Sequence, residues 1–436
     1  MSRSYFERSV GTPFGHLPLL EWDAFVRSYW DRRPVLIQRL SRKPFVLGEV
    51  LRAARNAGRI PRSETAYAQF TVDRAQHADP TPGLPRSGER RFDAYQARML
   101  DQTAGHRYAL IVNRLHSLDF ALWAREREFF AALWRRTGLP FSSAITTLFH
   151  GNYEHSPIGV HKDRFSTFMF VLKGRKRMRF WPRRPWREDV SSVLDYHAYM
   201  ASSFAVEVGE GQALYWPASY YHVGESVDLR PATSVNVGIP RSEHRLRYDL
   251  DDLLPARGDM REVSSSRNDV AFVEAGLDQL RTQHNGMPLT WRAAAQRMRM
   301  RCQPHVLDAR LREIALMRYG AAGFEPPPKP ARRRALADHA WLRRMPESVL
   351  HWSRPRNGRV LYGANGYVAD TDLPAATVAA LIRRLNEGEP CSVAELLAWP
   401  AGGGAPGLVE ERAARRRWLE TLIAWRALCA DAQVSS

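Results

Sequence analysis

Three side chains with the chemistry to hold a divalent metal stand out by type and spacing: His161, Asp163 and His222. Two imidazoles and one carboxylate cap one face of an octahedral ferrous ion and leave three positions for cosubstrate and dioxygen. In a strand, residues two apart point to the same side, so His161 and Asp163 face inward together while Lys162 faces out. His222 comes 61 residues after His161, behind a segment (214–217) that reads as a strand and a turn delivering the third donor. His-x-Asp alone is a common tripeptide. It occurs again at His77 and Asp79, where prolines and polar neighbours mark a solvated loop.

Further residues raise the weight of the triad. Only five of the 64 cationic side chains are Lys, and one of them, Lys176, lies 15 residues after His161. A buried cation neutralises the distal carboxylate of a bound 2-oxoacid, and the return strand of a hairpin would place Lys176 across from the His-x-Asp strand. Lys173 is the alternative, because a turn at Gly174 or a bulge shifts the register. Asn236 lies 14 residues after His222 on an apolar strand. There it is either an inward amide that orients a carboxylate or metal ligand, or a satisfied core residue.

The elements that must position these groups follow from periodicity and punctuation. Trp22, Phe25, Val26, Tyr29 and Trp30 recur at helical spacing until Pro34, and Val35, Leu36 and Ile37 read as a strand. Residues 63–91 are polar and rich in Gly and Pro, the pattern of a long surface loop or insertion. A second amphipathic helix covers about 118–136. Between 142 and 240 the runs 167–172, 178–181, 204–208, 213–216 and 233–237 are β-branched or aromatic, with Gly or Pro between them. Short strands with tight turns of this kind make a sandwich or jelly roll. Beyond 241 the pattern becomes helical, clearest over 270–280 and 291–300, until stacked prolines at 326–330 mark a linker. The last block carries a hairpin (360–368), a helix over 375–385, a capping box from Ser392 to Glu395 opening a second helix, and a third helix with Trp418, Leu422, Trp425 and Leu428. This order is compatible with a winged helix. A helical appendage without a readout role is the equal alternative.

The run HKDRFSTFMFVLKGRKRMRFWP (161–182) resembles the iron- and 2-oxoglutarate-binding stretch of the JmjC-type, cupin-like protein hydroxylases. The segment EVGEGQALYWPASYYH (207–222) resembles their distal-histidine segment, and FVRSYWDRRPVLIQR (25–39) resembles the opening of the ribosomal oxygenase branch. The resemblance implies that His161, Asp163 and His222 bind Fe(II), that Lys176 pairs with the 5-carboxylate of 2-oxoglutarate, and that Thr167 and Asn236 help hold this cosubstrate. It also implies an α+β fold: a double-stranded β-helix (jelly-roll or cupin) core with flanking helices over residues 1–245, a helical, often dimerising segment over 246–325, and a winged-helix-like module over 331–436. Relatives often carry Thr three residues before the first metal histidine, where this chain has Ile158. A cosubstrate hydrogen bond then comes from Thr146, Thr147 or Tyr153. His150, His155, His197 and Tyr221 are candidates for the substrate mouth.

Composition bounds the partners. The chain has 436 residues, 44% of them hydrophobic and 11% aromatic, which excludes a disordered chain and suggests two to four domains. Its 64 Lys+Arg against 46 Asp+Glu leave a net charge of +18. Such a charge attracts polyanions or acidic peptides over a Debye length of about 8 Å, so ribosome or RNA proximity stands beside a protein or peptide substrate as an expectation. No uncharged apolar run reaches the roughly 18 residues of a membrane span, and no signal-peptide pattern opens the chain, which points to a cytoplasmic protein without a membrane partner. Three scattered cysteines, Cys302, Cys391 and Cys429, indicate neither a disulfide framework nor a cysteine zinc site.

The expectation is an Fe(II)- and 2-oxoglutarate-dependent dioxygenase that uses O2 to hydroxylate a side chain in a ribosomal protein or a precursor peptide. N-methyl oxidation uses the same residues. The alternative is a non-enzymatic cupin-like binding or regulatory protein with a nucleic-acid-binding winged helix.

Overall fold

The computed structural model describes residues 14–60, 67–140, 142–153, 155–228, 230–241, 289–355, 359–398 and 409–431. The helix expected over 270–280 lies outside the described residues. Two compact units are present, residues 1–243 with 321–330, and residues 244–320 with 331–436. Among the described residues no helix is long and apolar enough to cross a membrane.

The first unit opens with β1 (Gly15–Leu17), α1 (Trp22–Ser28), β2 (Val35–Ile37), α2 (Leu47–Ala57), β3 (Ala68–Val72), β4 (Ala75–Gln76), α3 (Phe92–Gln102), β5 (Tyr108–Val112) and α4 (Phe120–Thr137). It continues with β6 (Ile145–Gly151), β7 (His161–Lys162), β8 (Phe165–Lys173), β9 (Lys176–Trp181), β10 (Phe204–Val208), β11 (Ala213–Trp216), β12 (Tyr221–Ser226) and β13 (Ala232–Pro240). Nine strands form one sheet in the order β1-β2-β11-β8-β13-β6-β5-β3-β4, and four form another, β10-β9-β12-β7. The fold is mixed α+β, with antiparallel pairing everywhere in these two sheets except between β1 and β2.

Strand alternation sorts the large sheet into two chemistries. Phe168, Phe170, Tyr215, Val235 and Val237 point to one face, where they pack with Phe25 of α1 and Phe130 of α4 in the main core. Each buried aromatic or branched side chain there contributes roughly 1.5–3 kcal/mol. Their neighbours Met169, Val171, Leu214 and Trp216 face the small sheet and pack with Met178, Phe180 and Val208. The helix α4 starts where Asp119 accepts a hydrogen bond from the Leu122 amide at 3.0 Å and ends at Gly138, whose φ of +83° favours glycine. Residues 321–330 also belong to this unit: Phe324 is buried against Phe130 and Trp134, and the Trp123 indole N–H donates to its carbonyl at 3.1 Å.

Two sequence expectations change here. Within 63–91, residues 68–72 form β3, paired along its length with β5, with Phe70 buried in the core. β8 and β9 do not pair as a hairpin. The tight turn at Gly174 (φ +73°) instead carries the chain from the large sheet to the small one.

The second unit contains α5 (Leu289–Arg301), α6 (Pro304–Ala321, its last residue grouped with the first unit), β14 (Trp341–Arg344), β15 (His351–Ser353), β16 (Val360–Ala364), β17 (Tyr367–Thr371), α7 (Ala375–Asn386), β18 (Cys391–Ser392), α8 (Val393–Ala398), α9 (Val409–Ala424) and β19 (Leu428–Asp431). β16 and β17 make the hairpin, turning at Asn365 with φ +54°. Ser392 Oγ accepts the Glu395 amide at 3.0 Å and so caps α8. Leu342, Tyr362, Leu381, Trp418 and Trp425 form a separate core. By contrast, Met298, Met300 and Leu311 on α5 and α6 are more than half exposed.

Candidate metal centre

The small sheet brings the triad together. β7 pairs antiparallel with β12 so that His161 and His222 are Cα partners, and their rings lie 4.6 Å apart between centroids. Asp163 follows just past the end of β7. His161 Nε2 is 3.5 Å from Asp163 Oδ1, and His222 Nε2 is 3.5 Å from Asp163 Oδ2. One donor atom from each residue falls within 4.8 Å of the others.

The far ring nitrogens are already engaged. His161 Nδ1 lies 2.9 Å from the Gly159 carbonyl, and His222 Nδ1 lies 3.4 Å from that of Tyr220. A carbonyl only accepts, so Nδ1 carries the proton and each Nε2 keeps its lone pair for a metal. Cis donors around an ion with bonds of about 2.1 Å sit roughly 3 Å apart, so the observed spacing fits a divalent transition metal after a small closure. Burial pushes the Asp163 carboxyl up, but hydrogen bonds and charge from His161 and His222 outweigh it and hold the group well below the carboxylate range. Burial lowers His161, and Asp163 more than restores it, leaving it raised. His222 stays lowered, because its burial and the nearby His161 outweigh Asp163.

The triad opens on a cavity of about 230 Å³ between the two sheets. Lys176 lines it from β9, 1% exposed, donating to the Tyr153 hydroxyl and lying 4.1 Å over that ring. Burial lowers its pKa to about 7. Lys173 points elsewhere: it pairs with Asp93 and sits over Phe92. Thr167 and Asn236 both line the cavity from the large sheet. Asn236 Oδ1 is itself buried and has no hydrogen-bond partner, an acceptor left unsatisfied in the cavity wall.

Of the alternatives for a cosubstrate hydrogen bond, Thr147 and Tyr153 reach the cavity. Thr146 points to the opposite face of β6 and donates to Glu126. The four mouth candidates do not line the cavity. His150 is buried on the helix-covered face with Tyr108 and Thr233, His155 and Tyr221 pack on the outside of the small sheet against Tyr196 and Trp186, and exposed His197 bonds Asp195. Gln69 and Asn113 do line it, with Asn113 Oδ1 accepting from Thr147 Oγ1 at 3.3 Å. Sequence reasoning did not find these two. Their place depends on β3 and β5 joining the large sheet beside β6, which no local pattern announces.

No family model matches the chain, and no curated protein is similar to it. Among solved structures it is similar to YcfD, a ribosomal oxygenase from Escherichia coli, at 15% identity over 95% of this chain and 98% of that one, TM-score 0.43. A second YcfD structure, in complex with cobalt and succinic acid, gives 17% identity, 95% and 99% coverage and TM-score 0.41. A third, in complex with cobalt and 2-oxoglutarate, gives 16%, 95% and 99%, and 0.40.

Proposed function

We propose that this chain is an Fe(II)- and 2-oxoglutarate-dependent oxygenase. More particularly, we infer a protein or peptide hydroxylase akin to the ribosomal oxygenases. The observation that carries the first step is the convergence of His161, Asp163 and His222 on one cavity that also holds the buried Lys176. A binding module has no need of three metal donors grouped on one side of a pocket.

In this reading His161, Asp163 and His222 hold the iron, and Lys176, with Tyr153 beside it, pairs with the distal carboxylate of 2-oxoglutarate. Thr167 and Asn236 orient that cosubstrate by hydrogen bonds. When bound, iron and 2-oxoglutarate supply the oxidising chemistry, spending O2 on decarboxylation of the cosubstrate to succinate and on hydroxylation of a C–H bond. Met169, Met178 and Phe165 give the cavity an apolar lining that keeps water from the reacting atoms. The jelly-roll description of the two facing sheets, the winged-helix description of the last unit, and a cytoplasmic place near ribosome or RNA belong to the same proposal. The support for a macromolecular substrate is the resemblance of residues 161–182 and 207–222 to protein hydroxylases, together with the net charge of +18. The exposed Met298, Met300 and Leu311 support pairing of two copies through α5 and α6.

The test is an anaerobic titration with Fe(II) and then 2-oxoglutarate, watching for the visible charge-transfer band of the chelate. A band in the parent that His222→Ala lacks is the expected result; a folded parent without it refutes the assignment. Gain of one oxygen atom in ribosomal-protein peptides then tests the substrate class.

A further inference from the structure

The metal donors stand on short pieces of chain. β7 is two residues long, lies at the edge of its sheet and, among the described residues, pairs only with β12. Something else must hold His161 in place. The connection between β9 and β10, residues 182–203, lies across the outer face of the small sheet and touches both strands that carry histidine donors.

On the His161 side, Val160 and Val193 exchange two backbone hydrogen bonds, Val160 N–H to Val193 O at 2.8 Å and Val193 N–H to Val160 O at 3.1 Å. Gly159 precedes this bridge with φ +73°, and a Cβ there would sit 2.3 Å from Val193 O. Its carbonyl accepts from His161 Nδ1. On the His222 side, the Tyr196 hydroxyl donates to Glu225 at 2.9 Å, and Glu225 also takes Arg179 Nε at 2.8 Å. Trp186 packs edge-on against Tyr221, the neighbour of His222, and joins Val160, Val223 and Tyr196 in one buried cluster.

We propose that residues 182–203 form a strap that sets the geometry of the metal centre, with Gly159 as the positioning residue through which the strap orients His161. The only backbone that fits between Val193 and His161 is one without a side chain and in a left-handed conformation. A partner that fixes a metal-binding imidazole through its other nitrogen is worth about 10- to 100-fold in metal affinity. The strap supplies that orientation here, through a carbonyl whose direction depends on the bridge. This inference rests on the metal reading.

The experiment uses the full chain, freed of metal and titrated with Co(II) alone, read by the visible absorption of the bound ion, with amide hydrogen exchange at Val160 as a metal-free readout. Gly159→Ala inserts a methyl group against Val193 O, and Val193→Pro removes the Val193 N–H without touching Gly159. In both, Co(II) affinity is expected to fall about 10- to 100-fold with an altered absorption band, and Val160 exchange to accelerate, while the circular dichroism stays that of the parent. Faster Val160 exchange with unchanged Co(II) affinity and band overturns the strap and leaves the metal reading standing. A parent whose Co(II) binding is absent, or indifferent to His222→Ala, overturns the metal reading itself. Should both variants fail to fold, Tyr196→Phe, which deletes one side-chain bond of the strap, decides by the same measurement: a weakened, altered Co(II) complex supports the strap and an unchanged one overturns it.

Discussion

Two clusters of buried polar groups lie on opposite faces of the large sheet, and they differ in one respect. In the cavity wall, Lys176 is buried and Asn236 half-buried beside open space, and Asn236 Oδ1 has no partner. Under α4, Glu126 and His116 meet at Thr146, which donates to Glu126 Oε1 at 2.6 Å and lies 3.1 Å from His116 Nδ1, while His116 Nε2 reaches the Glu325 carbonyl at 3.2 Å. That second cluster is closed off from the cavity, whose lining includes none of its members, although Glu126 Oε2 there also lacks a hydrogen-bond partner. Glu126 and His116 are fully buried, and burial raises the Glu126 carboxyl to about 8 and lowers His116 to about 4. Both are therefore neutral at pH 7. Adjacent residues of one strand, Thr146 and Thr147, serve the two faces. Burial alone does not mark a site; burial against a space that a charged ligand can enter does.

The comparison breaks most completely at the triad. His161→Ala or Asp163→Ala is expected to abolish turnover and Co(II) binding while thermal unfolding moves little, because these residues sit outside the main core. A fully active His161→Ala enzyme would end the metal assignment.

The closed cluster should answer in stability rather than activity. Glu126 has a folded pKa of about 8 against an ordinary 4.5, so the folded chain keeps a proton that the unfolded chain releases. Its contribution is full below about pH 4.5 and is lost as pH rises through 8. Glu126→Gln, neutral at every pH, should gain on the parent by up to about 1.4 kcal/mol per pH unit between pH 5 and 8. Urea midpoints across that range check it, with turnover at pH 7 unchanged. A difference independent of pH would mean that Glu126 is ionised in the folded protein.

How much of this was readable in advance follows the same division. The grouping of His161, Asp163 and His222 was legible because few residue types ligate metals, and the place of Lys176 in the cavity because lysine is scarce in this chain. β10 and β11 show plain runs of strand-forming residues and were placed to the residue. β12, which carries His222, was not seen as a strand. Its cavity-lining positions are His222 and Gly224, so the alternation that betrays a strand is erased where the site needs polar or small side chains. β5 is buried at every position and β3 reads as part of a polar stretch, so neither has a period to find. The strap, Gln69 and Asn113 owe their places to register between strands distant in the chain, which carries no local signal. The surplus of Arg said little about the site, since its lining includes no Arg.

Within the cavity the charged group should matter more than the neutral one. In the proposed binding mode Lys176→Met removes a charge-assisted hydrogen bond to the cosubstrate, worth about 1.5–3 kcal/mol, and should raise the KM for 2-oxoglutarate roughly 10- to 100-fold with a smaller change in kcat. The pH dependence has a definite sign. With Lys176 at about 7 in the free protein, the cation is present below pH 7 and must be regained at a cost above it. Binding of 2-oxoglutarate should therefore weaken by up to about tenfold per pH unit above 7 and stay flat below, a profile that calorimetry can follow and that Lys176→Met should abolish.

The smallest effect separates an orienting amide from a packing one. Asn236 is the Cα partner of both Thr147 and Met169, so it sits mid-wall beside the cavity, with its amide oxygen unpartnered. If the amide orients the cosubstrate by one neutral hydrogen bond, Asn236→Ala should lose about 0.5–1.5 kcal/mol of 2-oxoglutarate binding, roughly a 2- to 13-fold rise in dissociation constant. On folding this oxygen gives up its hydrogen bonds to water and gains none, so the same substitution should leave stability unchanged or slightly higher in the absence of ligand. The opposite pattern, lost stability with unchanged binding, would make Asn236, like Thr146 on the other face of the sheet, a residue of the packing alone.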